Sequence, residues 1–262
     1  MSIVQDDRLR FATMAEDYDR MAPYLVPQYE FLQEEMIRQT QVLTLVGPRV
    51  VDLGAGSGRC VEKILDGNPQ AVCFWVDSSP AFLNIARRRL GRFGDRVEFV
   101  LSALEDDWEA QVGGAVDCIF SMSAIHHLEH GQKYTLYERC FDLLRPGGWF
   151  INTDEAKTLF PDAYLASLHY WARHVDNSAP SVPDGLRGHC DRWRAHFARW
   201  KQRNIDGIDA PKTKGDDMHE VFTDQVKWLH EIGFECADVF VKYQLWCMMG
   251  GRKPSGRSQS GV

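Results

Sequence analysis

The sequence predicts an α/β protein: a doubly wound, mostly parallel seven-stranded sheet with an antiparallel last strand, and a helical cap inserted late in the chain. Three observations predict it. Apolar runs of strand length alternate with helix-length periodic segments between residues 49 and 152. Parallel neighbours need crossover helices, so this alternation implies a parallel sheet covered on both faces. A glycine-rich turn follows the first run directly. Two β-like runs at 236–243 and 245–249 stand too close for a crossover and predict an antiparallel hairpin.

Residues 8–46 read as two helices, one around Phe11 to Asp19 that Pro23 and Pro27 break, and one from Tyr29 to about Leu45. Strands follow at 49–53, 71–76, 96–101, 115–121 and 148–152, with helices at 59–65, 80–90 and 134–144 between them. Residues 155–220 interrupt the rhythm. They are too long for an ordinary loop and predict the helical cap. A helix at 222–232 resumes the pattern before the hairpin. The expected organisation is therefore N-terminal lid helices over 1–46, a core made of 47–154 and 221–250, the cap over 155–220, and a Gly/Ser/Arg-rich disordered tail over 251–262.

Composition narrows the function classes. A hydrophobic fraction of 44% over 262 residues suits one well-packed domain and excludes a wholly disordered chain. The net charge of −7 argues against a partner held through phosphates. No apolar run reaches membrane-spanning length, and the start has no signal pattern, so a cytoplasmic location is expected. Seven cysteines without a C-x-x-C pair suit a reducing compartment, with no disulfide framework and no zinc site. His189, Cys190 and His196 lack paired ligand spacing, so no metal is expected.

The strongest signal is the run from Val50 to Arg59, in which a strand passes into Gly54-Ala55-Gly56-Ser57-Gly58 and then a helix. Glycines there let the backbone turn sharply and approach a ligand without Cβ atoms in the way. Asp77, at the end of the second strand, can accept both ribose hydroxyls of an adenosine lying across the strand ends. A dinucleotide enzyme and a methyltransferase both fit to this point. Asp52 separates them: an acid just before the glycines sits badly with a pyrophosphate and suits an ammonium and a sulfonium.

Here the chain resembles the class I S-adenosylmethionine-dependent methyltransferases, over roughly residues 10–250. Val51 to Gly58 look like the family's first motif, and Asp77-Ser78-Ser79-Pro80 like its ribose-binding acid and helix start. Val116 to Ser121 with Ala124-Ile125-His126-His127-Leu128 look like the fourth motif, and Leu143 to Gly148 like the turn before the fifth strand. The resemblance implies a Rossmann-like methyltransferase fold, S-adenosylmethionine as cofactor and S-adenosylhomocysteine as product. It implies that Tyr18 closes over the methionine end and that Ser121 and Met122 flank the sulfonium. It also exposes a departure. Ala103, followed by Leu104, stands where many members carry an acid for the adenine amino group; Glu105 or Asp106 can substitute, or backbone or water can serve.

The acceptor is harder to read. His127 and His126 can act as general bases, because imidazole titrates near neutral pH; equally, one ring can pack under the sheet. In-line methyl displacement is driven largely by alignment and desolvation, so a base is optional. Tyr164, His169, Tyr170, Trp171 and Trp193 are the expected lining of a closed, aromatic chamber for a small-molecule acceptor with a flat or apolar part. The basic run 187–203, with Trp193, Phe197 and Trp200, admits RNA binding, but their i, i+4, i+7 spacing is that of an amphipathic cap helix. The alternatives are a tRNA-modifying methyltransferase and a non-catalytic S-adenosylmethionine-binding protein.

Overall fold

The structure is a computed structural model that describes residues 4–213 and 215–256, with side chains from Met14 onward. Two helices, α1 (Val4–Leu25) and α2 (Tyr29–Thr40), precede β1 (Arg49–Leu53), α3 (Arg59–Gly67), β2 (Val72–Asp77), α4 (Pro80–Leu90) and β3 (Val97–Leu101). A short turn, α5 (Glu109–Val112), leads to β4 (Val116–Met122), α6 (His130–Leu143) and β5 (Leu144–Glu155). Then come α7 (Pro161–Ser178), α8 (Arg187–Lys201), α9 (Phe222–Ile232), β6 (Glu235–Tyr243) and β7 (Trp246–Arg252). The seven strands form one sheet in the order β3-β2-β1-β4-β5-β7-β6, parallel except for β7 against β5 and β6.

Both faces of the sheet are covered, and strand alternation decides which residue meets which layer. Val50, Cys73, Trp75, Cys118 and Phe120 pack under α1, α2, α4 and the cap helices. Val51, Phe74, Val76 and Ile119 pack under α6 and α9. Phe74, Phe120 and Phe150 are fully buried, each contributing about 1.5–3 kcal/mol of apolar transfer. Of the cysteines, all but Cys236 are buried free thiols.

Four boundaries differ from the sequence reading, each for a physical reason. Helix α1 continues through Pro23 to Leu25. A proline at that position deprives the Asp19 carbonyl of its helical donor, and Arg59 Nη2 supplies one instead at 2.8 Å. Helix α2 stops at Thr40 and not near Leu45, because Thr40 Oγ1 donates to the Ile37 carbonyl and Gln41 turns left-handed. Strand β5 runs to Glu155, well past residue 152, since β4 and β7 pair with it on either side. The expected disordered tail begins too early. Strand β7 extends to Arg252, and Lys253 exchanges backbone hydrogen bonds with Gly147 and Gly148 at 2.8 Å. Gly250 and Gly251 serve close packing there: a Cβ on Gly250 would lie 2.1 Å from the Phe150 carbonyl oxygen. Residues 257–262 lie outside the described residues.

The cap and lid are tied down by charge. Asp17, buried on α1, accepts from Arg192 and His189 of α8 at 2.6 Å, and Asp19 accepts from Arg59 and Arg89 at 3.0 Å. Burial works against both carboxyls, yet these pairs, together with a hydrogen bond from Ser57 to Asp19, hold them below the usual range. No helix among the described residues is long and apolar enough to cross a membrane.

Candidate active site

A cavity of about 1030 Å³ opens at the carboxyl ends of β1, β2, β4 and β5. This is where the strand order reverses and where open α/β sheets bind ligands.

One end is made of backbone. Gly54, Gly56 and Gly58 all have positive φ (65°, 52° and 81°). A Cβ on Gly54 would come within 2.2 Å of the Ala124 Cβ. Asp77 is held on both oxygens, Oδ2 accepting from the Gly56 amide at 2.9 Å and Oδ1 from the Ser79 amide at 2.8 Å. Asp77 lines the cavity, and burial raises its carboxyl despite those bonds. Asp52 is 3% exposed; burial first and Asp77 second push it up to about 8. An acid in that state gains most from a cationic ligand group, so the cradle fits a nucleoside carrying an ammonium and a sulfonium. Ala55, Ser78, Leu104, Glu105 and Met122 also line the cavity. Tyr18 reaches it from α1, its ring edge-on to Phe82 at 6.0 Å and its hydroxyl bonded to Ser123.

Three expected contacts lie back from the wall. Ser121 is fully buried and donates to the Leu53 carbonyl at 2.9 Å, tying β4 to β1. Gly58 caps α3, where a Cβ would meet Leu90 at 2.8 Å. Ala103 is outside the lining, whereas Glu105 is within it and Asp106 is not.

The other end is made of side chains. His126 and His127 sit on a 3-10 turn after β4, their ring centroids 4.0 Å apart. His126 Nδ1 lies 2.6 Å from Asp154 Oδ1, and its amide donates to Asp154 Oδ2 at 2.8 Å. A strap from residue 215 to 220 closes over this turn: the Met218 amide donates to the His126 carbonyl at 2.8 Å, and Lys133 Nζ donates to the Met218 carbonyl. The strap brings in Asp217, whose Oδ1 is 3.8 Å from His126 Nε2 and 3.6 Å from His127 Nδ1. It also brings His219, which bridges Glu155 Oε2 at 3.0 Å and the Tyr164 hydroxyl at 2.7 Å. Burial disfavours a charged His126, but Asp154, Glu155 and Asp217 outweigh it and push the ring up to about 9. His127 is pulled down to about 3 by burial and by the neighbouring His126 charge, so it is neutral.

Of the expected acceptor lining, Trp171 and Trp193 face the cavity, together with Phe197, Trp200 and Trp246. Trp171 stands edge-on to Trp200 at 4.4 Å and to Trp246 at 4.8 Å, with its Nε1 donating to the Leu25 carbonyl. Tyr164 sits behind the wall, bonded to His219. His169 is exposed on the outer face of α7, and Tyr170 pairs with the Tyr243 hydroxyl at 2.6 Å; neither lines the cavity. Sequence reasoning missed Asp154, Glu155, Asp217, His219 and Trp246. Only the acidic pair at the end of the fifth strand carried any signal. The aromatics of the basic run 187–203 are buried, at 3–5% exposure, and turn toward the cavity, so they offer no outer face on which a nucleic-acid strand could stack.

Comparison with known proteins points to the same family. Residues 51–150 match a methyltransferase domain model. That match supports a methyltransferase domain of the class I S-adenosylmethionine-dependent kind. It is 31% identical over 200 residues to a lovastatin diketide synthase of Aspergillus terreus, covering 72% of this chain and 8% of that one. It is 34% identical over 131 residues to a trans-aconitate 2-methyltransferase of Paracidovorax citrulli, covering 50% and 45% of the respective chains. The fold is shared with the structure of an O-methyltransferase family protein from Burkholderia thailandensis. The TM-score is 0.54 and the identity 17%, over 97% of this chain and 70% of that one. The chain thus spans less than half the length of these two curated relatives.

Proposed function

We propose that this methyltransferase binds S-adenosylmethionine in the glycine-loop cradle and passes its methyl group to a small-molecule acceptor held beneath the cap. The observation that carries the reading is one continuous cavity with a backbone cradle and two buried acids at one end, and a tryptophan wall with a histidine–carboxylate cluster at the other. Its volume lies at the top of the ordinary range for single-ligand sites, leaving room for two.

When bound, the cofactor supplies an electrophilic methyl and leaves as a neutral thioether. The chain's residues do the rest. Asp77 receives the ribose hydroxyls, and Asp52 balances the ammonium. Tyr18 and Met122 close around the sulfonium, while α1 and the cap exclude water and align the acceptor for in-line displacement. Protonated His126 donates to the acceptor, while neutral His127, with Asp217 beside it, receives the proton that the acceptor loses. The acceptor's flat or apolar body lies on Trp171, Trp193, Trp200 and Trp246.

Calorimetry with S-adenosylmethionine, followed by measurement of S-adenosylhomocysteine release against a pool of small hydroxylated and aromatic compounds, tests this. One-to-one binding and acceptor-dependent release are expected. Binding of NAD in place of S-adenosylmethionine, or binding without release against any acceptor, would overturn it.

A further inference from the structure

Two polar atoms on the cavity wall, His126 Nε2 and Asp217 Oδ1, stand 3.8 Å apart and do not bond each other. Each is fixed from behind. Asp154 holds the other nitrogen of His126 at 2.6 Å, and Asn204 Nδ2 donates to the other oxygen of Asp217 at 2.6 Å. Neither group can swing to close the gap without breaking a buried hydrogen bond. The gap is too wide for one direct bond, yet two hydrogen bonds of ordinary length meeting at a single oxygen span roughly 4 Å.

We propose that this gap seats an acceptor hydroxyl, so that the substrate is a hydroxylated compound, a phenol or enol, whose flat body lies along the tryptophan wall. The inference rests on the methyl-transfer reading and names its acceptor class.

The polarity of the two atoms supports a hydroxyl over other occupants. His126 carries a proton on each nitrogen up to about pH 9, so Nε2 donates. Burial opposes ionisation of Asp217, but His126, His127 and His219 hold it well below the usual carboxylate range, so Oδ1 accepts. A hydroxyl both accepts and donates, and satisfies the two at once. A ketone or ether oxygen would offer Asp217 Oδ1 no proton to accept, which is costly in a buried site. A divalent cation would need the lone pair that the His126 proton occupies.

The step balances. The hydroxyl proton passes to Asp217, and the oxygen forms a bond to the methyl carbon as the carbon–sulfur bond breaks and its electron pair stays on sulfur. The products are a methyl ether, a thioether and one proton. His127, 3.6 Å from the same carboxylate oxygen, and Glu155, bonded to His219, are the neighbours over which that proton spreads.

The test uses the full chain without cofactor, titrated with 4-nitrophenol and with nitrobenzene, which lacks the hydroxyl. The phenol is expected to bind at least about tenfold more tightly, and Asp217→Asn to reduce that preference to within about twofold while leaving nitrobenzene unchanged. Equal binding of the two compounds by the unaltered chain overturns the proposal, and decides it even if the variant does not fold. So does a preference that survives Asp217→Asn, or one that appears only after zinc or manganese is added, which would assign the gap to a cation. The titration reads the gap independently of the cofactor, so a failure of S-adenosylmethionine to bind would sink the methyl-transfer reading by a separate measurement.

Discussion

At its glycine-loop end the cavity draws on one short stretch of chain, from Asp52 to Pro80, and presents mainly backbone turned to shape by three positive-φ glycines. At the histidine end it gathers side chains from the turn after β4, the tip of β5, the helices α7 and α8, the 215–220 strap and β7. The first is stabilised by sterics and backbone hydrogen bonds, the second by a buried charge network. A local, backbone-built site tolerates almost no added volume; a dispersed, side-chain-built site is sensitive to charge and protonation.

This contrast can be broken experimentally. The largest effect is expected at Gly54→Ala, where the new Cβ meets Ala124 at 2.2 Å on a backbone with φ of 65°. Calorimetry should show S-adenosylmethionine affinity falling by about 100-fold or more, with loss of stability. A variant that binds normally would mean the cradle is not where the cofactor lies. Next in size, His126→Asn should lower turnover by about 10²–10³-fold while the cofactor dissociation constant stays within about twofold. Parallel loss of both would show that the two ends are not separable.

The pH dependences should also differ between the ends. Burial and the neighbouring Asp77 raise the Asp52 carboxyl to about 8. It is therefore protonated below that pH and must release its proton to meet an ammonium. Cofactor affinity should rise with pH, approaching tenfold per unit below about pH 8 and then levelling, and Asp52→Asn should flatten the curve. For His126, the folded value of about 9 lies above the ordinary 6.5. Its pairing thus stabilises the fold fully below pH 6.5 and is lost as pH rises through 9. The melting-temperature difference between the parent and His126→Asn should shrink across that window. The smallest effect is expected at Tyr170→Phe, which removes only a bond to Tyr243 outside the cavity; activity should stay within about twofold.

The same contrast explains what was legible. The cradle could be read because strand, glycines and acid are adjacent in sequence and each has a steric or electrostatic reason to be there. The order of strands and the closing hairpin were legible from periodicity. The acceptor end was not, because nothing in the sequence places Asp217 against His126; only the folded strap does. Tyr164, His169 and Tyr170 show the limit of composition: they belong to an aromatic-rich helix, but helical rotation turns Trp171 inward and His169 out. The expected run of the second helix to about Leu45 and the glycine-rich stretch near residue 250 misled for a related reason, since the apolar spacing and the flexible composition there were overruled by a left-handed Gln41 and by interstrand packing.

Gly250 has a consequence for handling the protein. Strand β7 is the outer neighbour of β5, and Cys247 and Trp246 pair in register with Asp154 and Glu155. Trimming the chain from its carboxyl end into this stretch, or replacing these glycines with bulkier residues, would unbrace the strand that aims both acids at the histidines. Damage dealt to this inner strand would surface at the histidine end of the cavity.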